Sequence, residues 1–186
     1  MKTMLNLSLA LALMGTTAVA TAQTPPPPPP AEAKTQAAAY VMAAGASDLF
    51  EINSSQVALE KTQNPAVRRY ADMLIKHHQK TTAATMAAAK KAGMNPPPPA
   101  LAPGAEASIA ELQSASAGDF DRVYLAQQVP AHQAALDLHQ SYGRDGDQAA
   151  LRMSAKKAVP IVKQHLAGAE KMQAGGMKSG AVHRGM

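Results

Sequence analysis

Six consecutive prolines, Pro25–Pro30, and four more, Pro96–Pro99, with Pro103 close behind, set the limits within which this chain can fold. A proline ring fixes φ and removes a backbone N–H, so neither run can lie inside a helix or a central strand. The first run is expected to be a polyproline II segment of roughly 19 Å, at about 3.1 Å per residue. It could serve as a stalk or as a docking segment for a protein or envelope-surface partner, but such low complexity favours an inert linker. Between and beyond the runs Ala, Leu, Met, Lys, Gln and Glu dominate and no stretch alternates with period two, so the rest reads as helix.

Capping chemistry places the helix ends. A first helix is expected over 35–62 and a second over 65–91, with Asn64 as N-cap, Pro65 at the first helical position and Gly93 as the stop. A short helix over 106–114 follows the second proline run. A third long helix is expected from Asp119 to about 144, closed by Gly146 in the left-handed conformation, and a fourth from its N-cap Asp147 to about 173. Short connections at 63–64 and 145–147 make two antiparallel hairpins joined by a proline-rich crossover. The fold class is therefore all-α, a four-helix bundle.

The N-terminus has the parts of a secretory signal: Lys2, the apolar run Met4–Met14, and the small-x-small site Ala20-Thr21-Ala22 before Gln23. The expected organisation is a signal peptide at 1–22 cleaved before Gln23, a proline-rich linker at 23–34, the bundle at 35–173 and a flexible tail at 174–186, in a periplasmic or secreted protein. The apolar run is shorter than the roughly 20 residues a transmembrane helix needs, and no later run is longer. With no cysteine there are neither disulfides nor thiolate metal sites. The net charge of +5 is scattered, and two Phe, four Tyr and no Trp leave nucleic-acid binding without a basic stripe or stacking aromatics.

The inward faces carry the chemistry. In the second helix a 4-3 spacing through Val67, Ala71, Leu74, His78, Thr81, Thr85 and Ala88 makes a small-to-apolar stripe that includes His78, whereas His77 falls to one side among Lys76 and Lys80 and reads as solvated. Leu125, Val129, His132, Leu136 and His139 put His132 on the stripe of the third long helix, and Leu151, Ala155, Ala158, Val162, His165 and Ala169 put His165 on that of the fourth. In the first, Tyr40, Ala44, Ser47, Glu51, Ser54 and Ala58 form a small-residue stripe whose charge is Glu51. A buried carboxylate is costly unless paired or metal-bound. Counted from the turns, Glu51 and His78 stand at one height, while His165 is offset from His132 by roughly a helical turn. Pro130 and Pro160 should kink their helices near these histidines.

The strings SDLFEINSSQVALEKTQNPAVRRYADMLIKHHQKT, FDRVYLAQQVPAHQAALDL and LRMSAKKAVPIVKQHLAGAEKM resemble a secreted bacterial ferritin-like family catalogued as a domain of unknown function, a resemblance that covers about 35–172. The resemblance implies a ferritin-like four-helix bundle and places the recurring polar positions at Glu51, His78, His132 and His165. The chain departs from that pattern at His77, where an acidic residue is common, and at His139, where an aromatic is common. Di-iron centres of ferritin-like bundles use a Glu on two helices and Glu-x-x-His on the others. Here Ile75 and Val162 stand where those bridging carboxylates would be, so a dinuclear iron site is not expected.

One carboxylate and three imidazoles can hold a single zinc, iron, manganese or copper ion. The first functional expectation is thus a periplasmic metal-binding bundle serving envelope stress or metal handling. Its alternative is a non-catalytic structural or interaction module with polar core histidines and no metal. No nucleophile elbow, phosphate loop or paired-carboxylate motif supports catalysis, which leaves a metal-dependent oxidoreductase as the weakest of three readings.

Overall fold

Asn64 and Pro65 turn the chain where capping chemistry places them. The Asn64 side chain accepts from the Ala66 N–H at 2.9 Å, ending α1 (Ala37–Lys61) and starting α2 (Pro65–Lys91). Gly93 follows with φ +76°, the left-handed stop expected of it. The crossover then leads to α3 (Ala105–Ser114), α4 (Phe120–Asp145) and α5 (Ala149–Val182). This computed structural model describes residues 25–182, with side chains to Gly175, so the expected signal peptide lies outside the described residues. Within them the chain is all-helical, with no strand. No helix among them is long and apolar enough to cross a membrane.

α1 packs on α2 and α4, and α5 packs on α4 and α2. The crossover is laid on this frame: the Pro99 ring lies against Gly45 of α1, where an added Cβ would stand 3.1 Å from it. At the far end Lys61 donates to the carbonyls of Gln113 and Ala115, and Thr62 donates to Asp121 at 2.6 Å, which ties the α1–α2 turn to the start of α4.

Two apolar clusters fill the interior. One gathers Val57, Val67, Leu74, Leu112, Phe120, Tyr124 and Leu125, and the other Tyr40, Ala44, Ala88, Leu138, Tyr142 and Leu151. Glu51, His78, His132 and His165 fall between the two, so a polar layer interrupts the core at mid-height. The 4-3 stripe of α5 is buried as read, and that of α2 is too except for half-buried Thr81, whereas α4 turns slightly, burying Gln128, Ala135 and Leu138 in place of Val129 and Leu136.

Several local expectations are corrected. Over its described residues the segment read as a linker meets the body: Pro26–Pro30 line a groove of about 310 Å³ with Ala46 and Phe50 of α1 and Ala131 of α4. Ala31–Lys34 form a 3-10 turn whose Ala33 is fully buried and whose Lys34 pairs with Asp137 at 2.7 Å, and the Asp147 N–H donates to the Thr35 carbonyl. α5 is helical to Val182, past the end expected near 173. Asp119 occupies the N-cap of α4, but its carboxylate bonds Arg122 and Ser116 instead of capping.

Gly146 is not left-handed, having φ −61° and ψ 148°. Glycine is needed there for space, because a Cβ would stand 2.5 Å from the Tyr142 ring. That ring is held by stacking on Tyr40 at 3.9 Å and by donating to Asp147 at 2.8 Å. Gly146→Ala is therefore expected to destabilise by about 1–3 kcal/mol, as overpacking does. Urea unfolding checks this, and a midpoint unchanged from wild type would contradict it.

Candidate metal centre

The polar layer gathers one histidine from each of α2, α4 and α5. One ring nitrogen of His78, His132 and His165 lies within 4.8 Å of each of the other two. The ring centroids are 5.0 to 5.7 Å apart, and the three side chains are buried. The axial offset expected for His165 does not keep it away, because α4 carries on to Asp145 and α5 begins only at Ala149, so the loop takes up part of the difference.

Each ring has one nitrogen engaged and one bare. His78 Nδ1 is bonded to Asp48 Oδ1 at 2.7 Å, His132 Nδ1 to the Gln128 carbonyl at 2.9 Å, and His165 Nε2 to His77 Nδ1 at 2.8 Å. The opposite atoms, His78 Nε2, His132 Nε2 and His165 Nδ1, are buried without a hydrogen-bond partner among the described residues. Buried polar atoms are normally satisfied, so three orphaned ring nitrogens on three histidines that stand together suit a cation's ligand set. Outer partners that fix each imidazole's orientation are what metal-binding histidines ordinarily have.

Glu51 completes the layer without joining the triad. It is buried, both carboxylate oxygens lack a hydrogen-bond partner among the described residues, and Oε1 stands 3.7 Å from His132 Nδ1. Burial raises its pKa to about 7 against the opposing pull of His78. Burial pulls His78 down, but the Asp48 hydrogen bond and charge outweigh it and hold His78 above its usual value. Burial and the His78 charge drop His132 to about 3 and His165 to about 2. Burial thus keeps His132 and His165 in the neutral form, while Asp48 favours the charged form of His78.

Two members of this arrangement fall outside the sequence reading. Asp48, buried on α1, takes hydrogen bonds from His78, from Thr81 at 3.0 Å and from Thr82 at 2.8 Å. Its signal is its position three before Glu51, a helical neighbour on the same side. His77 is not a solvated bystander, because α5 covers its side of α2 and brings His165 to it.

His139 lies apart from the triad, sharing a hydrogen bond with Tyr40 Oη at 3.0 Å. Burial depresses it to about 4. A histidine depressed in the folded state binds its proton more readily when unfolded. Its contribution is therefore present above the ordinary value near 6.5 and lost as pH falls through about 4, at up to roughly 1.4 kcal/mol per pH unit. Urea midpoints measured from pH 7 to pH 4 should fall less steeply for His139→Phe than for wild type; parallel curves would contradict the assignment.

The chain belongs to the family described as "Domain of unknown function (DUF4142)", whose model matches residues 22–172. Among curated proteins none matches the sequence significantly. Solved structures similar in fold include CopM in the Cu(II)-bound form, at 14% identity and a TM-score of 0.64, covering 75% of this chain and 97% of that one. CopM in the Cu(I)-bound form matches at 14% identity and a TM-score of 0.65, and in the Ag-bound form at 14% and 0.62, each over 75% of this chain and 96% of that one. At this identity the likeness speaks to the fold alone.

Proposed function

We propose that this DUF4142 protein is an envelope metal-binding module that holds one transition-metal ion through His78 Nε2, His132 Nε2 and His165 Nδ1, with Glu51 as neighbouring counter-charge. Its support is the arrangement of the three imidazoles, each fixed through one nitrogen and without a partner among the described residues at the other, with one ring nitrogen of each within 4.8 Å of the other two. An all-nitrogen set with a carboxylate nearby suits zinc and copper, and the usual order of divalent affinities puts Cu(II) first. CopM, whose described states carry Cu(II), Cu(I) and Ag, lends the same direction through fold alone.

The proposal extends to the architecture and the address. The contacts of α1 with α2 and α4, and of α5 with α4 and α2, together with a crossover laid along α1, fit a ferritin-like four-helix bundle over 35–173. The N-terminal pattern at 1–22 fits export, and metal handling outside the cytoplasm needs no catalytic group. A structural module with polar core histidines would be expected to satisfy its buried nitrogens within the protein, and three are left bare.

Elemental analysis of the chain after reconstitution with Cu(II) or Zn(II) tests the reading. One ion per chain is expected, lost in both His78→Ala and His165→Ala. A reconstituted wild type without metal would overturn it.

A further inference from the structure

The three outer bonds of the triad differ in one respect. The Gln128 carbonyl can only accept, and the carboxylate of Asp48 accepts, so His132 and His78 must each carry a proton on Nδ1 and turn Nε2 inward. His165 faces another imidazole. His77, half-exposed on α2, has its Nδ1 2.8 Å from His165 Nε2, and the two rings stack with centroids 5.1 Å apart and planes 20° apart.

A hydrogen bond between two ring nitrogens holds one proton, and its position sets both tautomers. If the proton belongs to His77 Nδ1, His165 Nε2 accepts and the His165 proton must occupy Nδ1. That places an N–H in the triad, where Nδ1 has no partner among the described residues, and removes the lone pair a metal needs. If the proton belongs to His165 Nε2, Nδ1 is bare and the remaining proton of His77 moves to its Nε2, on a ring that water can reach. Either arrangement leaves His165 Nδ1 without a partner among the described residues, as a buried N–H in the first and as a buried lone pair in the second; orphaned buried N–H groups are the rarer of the two, so the second arrangement is favoured.

We infer that His77 is a positioning residue for the candidate centre: by accepting the His165 Nε2–H it keeps the His165 Nδ1 lone pair turned toward His78 and His132. The effect on metal affinity rests on the proposed function; the tautomer itself belongs to the metal-free protein and does not.

Long-range proton–nitrogen correlation NMR on the metal-free full chain should find His165 protonated at Nε2 and bare at Nδ1. The reverse tautomer would overturn the inference whether or not metal binds. Zn(II) titration against a competing chelator supplies the second readout. His77→Ala is expected to weaken binding by about 10–100-fold, the usual effect of losing an outer partner, while His77→Gln, whose amide oxygen can accept from Nε2–H, stays within a few-fold of wild type. Equal losses in the two variants, or none in His77→Ala, would overturn it. A wild type that binds no Zn(II) would sink the proposed function and leave the NMR result to decide the role of His77.

Discussion

His132→Leu should bind Zn(II) or Cu(II) at least about 100-fold more weakly than wild type, beyond the 10–100-fold typical of an outer-partner loss, because it removes a ligand atom and not its support. The same substitution should leave the metal-free protein as stable as before, or more stable by roughly 1 kcal/mol. His132 is fully buried, its Nε2 has no partner among the described residues, and its pKa is depressed to about 3, so the ring is held at a cost in the absence of metal. Leucine of similar bulk removes an unsatisfied polar atom, and replacing buried polar groups by well-packed apolar ones is often neutral or stabilising. Opposite signs for binding and stability are the signature of a side chain kept for function. Chelator competition and urea unfolding of the metal-free variant measure the two effects, and a variant destabilised by several kcal/mol would mark His132 as a packing residue.

Asp48→Ala should have the largest effect on stability, about 3–5 kcal/mol, which is the usual result of breaking a buried ion pair by removing one partner. The buried carboxylate accepts from His78, Thr81 and Thr82, and its hydrogen bond and charge hold the His78 pKa up. Without it His78 Nδ1 and two hydroxyls lose their acceptor. Urea unfolding at pH 7 with matched far-UV spectra would measure this; a loss below about 1 kcal/mol would mean that water replaces the carboxylate and that the pair is not desolvated.

Much of the fold is legible in the sequence because it follows from local chemistry. Asn64-Pro65 and Gly93 end and begin helices through their own backbones and side chains, and they do so here at the expected residues. The stripes through Leu74 and His78 on α2 and through Val162 and His165 on α5 are buried as the 3.6-residue period requires. Where the reading failed, the cause lay in a neighbour. Gly146 was expected to be left-handed, yet it is kept small by the Tyr142 ring. The proline segment reads in the sequence as an inert linker, and Pro26–Pro30 line a groove together with residues of α1 and α4.

The candidate site divides along the same line. Periodicity alone turned Glu51, His78, His132 and His165 inward, since a residue's face on its helix depends only on its place in that helix. Whether inward residues of separate helices meet depends on the rotation and rise of each helix against the others, which loops and packing decide. Tertiary structure therefore brought His78, His132 and His165 together and left Glu51 beside them. It also drew in Asp48 and His77, the first through a bond to the neighbouring helix and the second because α5 covers a face of α2 that a single helix would show to water.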